Sequence, residues 1–314
     1  MASFGVKVIR GAFWLGEHVA PPIAGWAAFE LFRRTPGQRA LTVGERKAIA
    51  SAASFMDEAR RHRLRTRTDC VTVHEFRPAT GAERRGTVLV VHGWRSRTEY
   101  MRAIIEGLRK AGFRVMSLDL PGHGASRGRR LDLVRAVDAV RTADIWFGPF
   151  DAIVGHSFGG VVALNARAGS IEGISAVDAA RLVLISVPES IPEIFDRYGR
   201  LINVGPKSQN AIASRVERIA GRPITDFRGA RQLKEIGTPT LVIHAVDDRE
   251  VHADSAQRHA SAGAHVDLVW VDGAGHRRIL ADPRTVDATV RFSCGKSAIA
   301  RHSPEPAGMS LDAC

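Results

Sequence analysis

Residues Ile153–Gly160 read IVGHSFGG. Ile153 and Val154 close an apolar run, Gly155-His-Ser-Phe-Gly159 forms a sharp corner, and a helical pattern follows. A serine in this setting is the nucleophile-elbow pattern: its strained corner lifts the hydroxyl above the sheet. The flanking glycines have a steric reason, since a side chain at 155 or 159 would press on the tight turn. A match of three fixed positions is weak alone and needs its structural context.

The context lies on both sides. Upstream, Thr87–Val91 (TVLVV) is a continuous apolar run, as expected of a strand buried on both faces. It stops at His92-Gly93-Trp94. Phe113–Leu118 is the next strand and leads into a glycine-rich loop, Asp119–Gly124. Phe150–Val154 is the strand before the corner. Downstream, Arg181–Val187, Thr240–Ala245 and His265–Val271 read as further strands, and Cys70–Phe76 as one near the start. Helical patterns at Glu99–Ala111, Leu131–Trp146 and Gly159–Ala168 alternate with them. Alternation with short connections predicts an α/β protein with a mostly parallel, doubly wound sheet of about seven or eight strands. Its active site is expected outside the carboxyl ends of the strands.

Pro188–Glu235 interrupts the alternation. It holds two amphipathic stretches, Ile191–Val204 and Gln209–Ala220, and no strand, so residues 188–235 are expected to form a helical cap.

A serine hydroxyl needs a base within hydrogen-bond reach, and the base needs an orienting partner. With an elbow serine, the acid and then the histidine follow in the chain. His276 comes after the last strand, in Asp272-Gly-Ala-Gly-His276, a turn that would carry it over the strand ends. His123, His156 and His244 have plainer places: a glycine loop, the elbow itself and a strand interior. Asp247 and Asp248 both follow the preceding strand. Only one can face the histidine, and Asp248 is the favoured one, leaving Asp247 as a turn or capping carboxylate. The expected triad is Ser157, Asp248 and His276. An oxyanion needs donors already aimed at it. Phe158 N–H at the helix start and Trp94 N–H at the strand exit are the candidates. In the cap, Ile191, Ile194, Phe195, Leu201 and Ile202 are candidates for an acyl-binding wall. No metal-ligand spacing appears, and no cofactor or metal is expected.

These residues together resemble the α/β-hydrolase fold superfamily, and within it the bacterial cap-bearing esterase and lysophospholipase group that is similar to serine aminopeptidases. The matching stretches are VVHGW (Val90–Trp94), DLPGHGAS (Asp119–Ser126), GHSFGG (Gly155–Gly160), PTLVIHAVDDREV (Pro239–Val251) and DGAGH (Asp272–His276). The resemblance implies Ser157 as nucleophile, Asp248 as acid and His276 as base. It departs at Ala245, where glycine is usual after His244. It leaves the first seventy residues uncovered and names no substrate. Arg277 and Arg278, next to the base, would suit an anionic substrate or simply a solvated surface.

The chain of 314 residues carries a formal charge of +12, mostly from arginine. No zinc-finger spacing or base-stacking strand accompanies it, and no nucleic acid is expected as partner. The densest basic run is Arg60–Arg67 (RRHRLRTR). Cys70, Cys294 and Cys314 are an odd set without paired spacing, which suits a reducing cytoplasm. No secretory leader is expected.

Residues 1–67 are expected as an N-terminal extension, 68–294 as the catalytic domain and 295–314 as a loose tail. Ala12–Phe32 is apolar-rich but broken by Glu17, His18, Pro21, Pro22 and Glu30, which argues against a membrane span. Two placements stand for residues 12–34. They lie peripherally on an anionic membrane face, with Trp14 and Trp26 as anchors and Arg33 and Arg34 beside them. Or they pack on the chain's own domain or a second subunit; the oligomeric state is open. Thr42 and Glu45 have capping-box spacing ahead of a helical stripe, Ala48, Ile49, Ala52, Ala53 and Met56.

The leading expectation is a serine hydrolase of carboxylic esters, esterase- or lipase-like, acting on a small or lipid-like substrate. Lysophospholipid and monoacylglycerol esters fall in that class. Thioesterase, acyltransferase and aminopeptidase use the same three residues; for the last, Glu189 and Glu193 are the available cap carboxylates. A membrane-associated binding protein without chemistry is the reading from another class.

Overall fold

The structure is a computed structural model, and it describes residues 4–35 and 41–296. All but the first two residues of the expected tail lie outside that range. Eight strands form one sheet: β1 (Arg60–Arg65), β2 (Cys70–Phe76), β3 (Thr87–Val91), β4 (Arg114–Asp119), β5 (Ala152–His156), β6 (Leu182–Ile185), β7 (Thr240–Ala245) and β8 (Val266–Val271). Their order across the sheet is β1-β2-β4-β3-β5-β6-β7-β8. Strands β3 to β8 run parallel; β2 is antiparallel to both β1 and β4.

Among the described residues, four helices precede the sheet: α1 (Phe4–Val19), α2 (Pro21–Phe32), α3 (Val43–Ser51) and α4 (Ala53–Asp57). Three more sit among the first strands: α5 (Arg102–Lys110), α6 (Leu133–Phe147) and α7 (Phe158–Ala168). The cap contributes α8 (Ile191–Ile202) and α9 (Pro206–Ala220), and α10 (Gly229–Ile236) leads back to the sheet. Then come α11 (Ala253–Ala260), the single turn α12 (Gly275–Arg278) and α13 (Pro283–Ser293).

The apolar runs explain the layers. Along β3, Leu89 and Val91 join a core with α6 and α7, while Val88 and Val90 join a second core with α5 and α13. From Val88 to Val91 every side chain is covered, so that part of the strand has no polar member.

Two parts of the N-terminal region differ from expectation. The helix after Thr42 is expected to end in the basic run, yet that run is a strand with its arginines exposed. Arg60–Arg65 forms edge strand β1, with Leu64 its one buried side chain. Arginines on an edge discourage pairing with another chain. The expected stripe after Thr42 is also broken. The capping box forms, but α3 buries nothing; Ala52, Phe55 and Met56 carry the packing.

The apolar N-terminal stretch folds as α1 and α2 against the cap. Gly25 allows α2 to approach α9 closely, since a Cβ there would lie 2.5 Å from the Ser208 carbonyl oxygen. Among the described residues no helix is long and apolar enough to cross a membrane. Cys70 and Cys294 are free thiols, and Cys314 lies outside the described residues.

Candidate active site

Ser157 stands between β5 and α7 with φ 51° and ψ −123°. That left-handed conformation is strained for a residue with a side chain. Tight packing maintains it. A Cβ on Gly159 would lie 2.3 Å from the Val91 carbonyl oxygen, and one on Gly155 would lie 2.5 Å from Gly160 Cα. The glycines are therefore required by close backbone approach on both sides of the serine.

Asp248 follows β7 in a turn. Its Oδ1 accepts from Glu250 N–H at 2.7 Å and Val251 N–H at 2.9 Å, and its Oδ2 faces His276 Nδ1 at 2.8 Å. A carboxylate only accepts, so His276 Nδ1 carries the hydrogen and Nε2 keeps its lone pair. Burial works against the charge on Asp248. The bonds from His276, Val251 and Glu250 outweigh it and bring the pKa down to about 2. Asp247 faces elsewhere: its Oδ1 accepts from Gly275 N–H at 3.0 Å and ties down the turn before the histidine.

The elbow's second residue has a part that its position in the motif did not suggest. His156 Nε2–H donates to the His276 carbonyl at 2.9 Å, linking the serine corner to the histidine turn. Burial and the neighbouring His276 lower its pKa to about 3, so it stays neutral. His244 likewise donates through Nε2 to the Val251 carbonyl at 3.1 Å and braces the turn carrying Asp248.

Two further histidines shape the strand exit at Trp94. Leu120 N–H donates to His92 Nε2 at 3.1 Å, so His92 Nδ1–H donates to the Gly93 carbonyl at 2.8 Å. Arg95 N–H donates to His123 Nε2 at 3.1 Å, and His123 Nδ1–H donates to the Pro121 carbonyl at 3.0 Å. Burial, aided by His92, lowers His123 to about 4. Beneath them lies buried Asp119, which accepts from His74, Thr98 and Ala125. Trp94 N–H and Phe158 N–H have no acceptor among the described residues. Both stay available to a ligand.

Ser157, Phe158, Trp94 and His276 line one cavity of about 670 Å³. Ile194 and Leu201 line it from α8. Ile191 and Phe195 do not. They are buried against the core and border a smaller apolar void behind Phe32, Phe158 and Ile194. The helix has two apolar sides, and these two residues point at the domain. Glu193 lines the cavity, whereas Glu189 is buried away from it, its carboxyl pushed up by burial.

The cavity also takes residues that sequence reasoning missed: Arg10 and Phe32 from the N-terminal helices, and Arg197 and Tyr198 from α8. Phe32 stacks on Trp94 and meets Tyr198 edge-on. The apolar stretch itself was the one signal for Phe32, and it showed a buried partner without showing which; Arg10, Arg197 and Tyr198 lie outside it. Among the described residues, no group of three or more His, Cys, Asp and Glu side chains is placed to hold a metal ion.

A family model described as the alpha/beta hydrolase family matches residues 88–289. Among curated proteins, the "Putative protein-lysine deacylase ABHD14B" of Rattus norvegicus is 26% identical over 222 residues, covering 70% of this chain and 88% of that protein. Among solved structures, Est1E from Butyrivibrio proteoclasticus with bound ferulic acid gives a TM-score of 0.60 at 19% identity, covering 75% of this chain and 98% of that one. A bacterial membrane phospholipase A gives 0.57 at 16% identity, covering 79% and 90%. Carboxylesterase CesB from Bacillus subtilis gives 0.55 at 17% identity, covering 80% and 97%. At these identities the solved structures speak to the fold alone.

Proposed function

The chain belongs to the alpha/beta hydrolase family, and on that premise we propose that it hydrolyses carboxylic esters of lipid-like acids through an acyl-enzyme on Ser157. The observation that carries this reading is the 2.8 Å bond from His276 to Asp248, with Ser157 and His276 on the wall of one cavity.

Ser157 Oγ attacks the ester carbonyl while His276 Nε2 takes its proton. Asp248 holds the imidazole by Nδ1–H and stabilises the imidazolium. The carbonyl oxygen becomes negative and is met by Trp94 and Phe158 N–H, each typically worth about 3 kcal/mol of barrier. His276 then protonates the leaving alcohol. Water, deprotonated by His276, attacks the acyl-enzyme and frees the acid. Phe32, Ile194 and Leu201 would hold the acyl chain. The apolar character of that wall supports a medium or long chain.

The test is labelling with a fluorophosphonate probe, followed by p-nitrophenyl esters from acetyl to palmitoyl. Labelling of the folded wild type, lost in Ser157→Ala, is expected. Absence of labelling in the folded wild type would overturn the reading. A second reading has one observation in its favour: the rat relative is named a protein-lysine deacylase. Removal of an acyl group from an amine uses the same steps. An acyl-lysine peptide, turned over faster than the matched ester, would favour it.

A further inference from the structure

Helix α1 is inside out for a helix in water. Its inward residues include both an arginine and a glutamate. Arg10 Nη1 donates to the Arg200 and Leu201 carbonyls at 3.0 and 2.7 Å, in the last turn of α8. The Glu17 carboxylate accepts from Lys207 and Ser208 N–H at 2.8 and 2.9 Å, in the first turn of α9. A cation at a helix C-terminus and an anion at an N-terminus both match the helix dipole. The charges of α1 therefore fasten it to the cap.

Phe13 packs inward on the core, but most of the other apolar residues of α1 face away. Val8, Ala12, Leu15 and Val19 follow the spacing of one helix face, and Val8, Leu15 and Val19 are 54%, 56% and 75% exposed. Trp14 flanks them at 57% exposure, and Ile23 and Trp26 on α2 follow at 66% and 52%. Single exposed apolar residues need no account, but a run along one helix and into the next does.

We propose that this face docks on the surface of an anionic lipid bilayer. The chemistry favours that occupant over a second copy of the chain. Exposed cations stand on α1 and on the helices it is fastened to, Lys7 on α1, Arg197 and the Asp196-paired Arg200 on α8 and Lys207 on α9, and the chain carries +12 overall. A like-charged copy would be repelled; an anionic headgroup layer is attracted. Tryptophans at the flank suit the headgroup region, where the ring is half buried. Leu201, itself 65% exposed at the end of α8 that Arg10 holds, lines the cavity, as does Arg10 on the inward side of α1. The docking goes beyond the hydrolase reading and is measured without turnover.

The experiment is flotation of the full chain with vesicles of phosphatidylcholine and phosphatidylglycerol at low and moderate salt, with Leu15→Glu/Val19→Glu beside the wild type. Wild type is expected to float with the anionic vesicles, and the double variant to partition about tenfold less. Both are expected to label equally with fluorophosphonate, which shows that the variant folds. Failure of the wild type to float at low salt overturns the proposal. So does equal flotation of both proteins. A dimer of the wild type, broken by the double variant and accompanied by no flotation, assigns the face to a second copy instead. Loss of labelling with flotation intact would strike the hydrolase reading and leave the docking standing.

Discussion

Phe32, the last residue of α2, stacks on Trp94, with ring centroids 4.9 Å apart and planes 27° from parallel. The N-terminal helices thus reach the loop that presents the Trp94 N–H. The same ring meets those of Phe195 and Tyr198 with centroids 4.8 and 5.0 Å away, so it joins α8 to the Trp94 side of the cavity.

Phe32→Ala is therefore expected to lower kcat/KM for a p-nitrophenyl ester about tenfold, partly through kcat, because the donor at residue 94 loses its brace. Stability should fall by roughly 1 to 3 kcal/mol, since the ring is only partly buried. Steady-state kinetics with denaturant unfolding would show both. A variant that loses stability but keeps kcat would reduce Phe32 to packing.

Asp248→Asn should drop kcat by about four orders of magnitude, while Asp247→Asn should change it only a few-fold. Asp248 faces the imidazole and Asp247 holds the Gly275 amide. The pH profile carries a further expectation. With its pKa depressed to about 2, Asp248 contributes stability that is present above its unfolded value near 4 and fades as pH falls through about 2. It cannot supply the acid limb of an activity profile around neutrality. Steady-state kinetics of the two variants check the assignment, and an equal loss in Asp247→Asn would overturn it.

The elbow, Asp248 and His276 were legible because each sits at a strand exit, where a short local motif fixes both the backbone and its place over the sheet. The strand cores were legible for a similar local reason: a buried parallel strand has no polar face. The cavity wall was not. Along α8, hydrophobic spacing marks apolar positions but not what each side meets. Ile191 and Phe195 turn to the core, whereas Ile194, Tyr198 and Leu201, spaced four and three apart, turn to the cavity. Arg10 and Phe32 lie more than a hundred residues from Ser157, and only tertiary packing brings them there. The run Arg60–Arg65 hid a strand because its one buried side chain, Leu64, leaves no alternation to find.

His259 offers a stability test away from the chemistry. It is wholly buried, and neither ring nitrogen has a hydrogen-bond partner among the described residues. Burial, then His244, lowers its pKa to about 4. The unfolded chain takes up a proton near pH 6.5 while the folded one does not, so this site costs stability progressively as pH falls from about 6.5 towards 4. His259→Leu removes that dependence. Between about pH 7 and pH 4.5 the variant should lose roughly 2 kcal/mol less than wild type, read from urea unfolding at the two values. Parallel losses in both proteins would show that His259 is not buried and neutral.

On the proposed reading, Ile194 and Leu201 are expected to limit how much acyl chain the cavity accepts. Both lie on the outer side of α8 over a space of about 670 Å³, large enough for a drug-sized ligand. Ile194→Trp fills part of it beside Phe158 and Phe32 without touching Ser157, Asp248 or His276. Its effect should depend on substrate length. Acetyl ester turnover should stay within a few-fold of wild type, while kcat/KM for decanoyl and longer esters falls by about ten- to a hundredfold, each lost methylene contact costing about 0.8 kcal/mol. Leu201→Ala, on a half-open rim, should act in the same direction and more weakly. If Ile194→Trp slows all chain lengths equally, the acyl chain does not run under α8, and the small void bordered by Ile191 and Phe195 becomes the place to enlarge next.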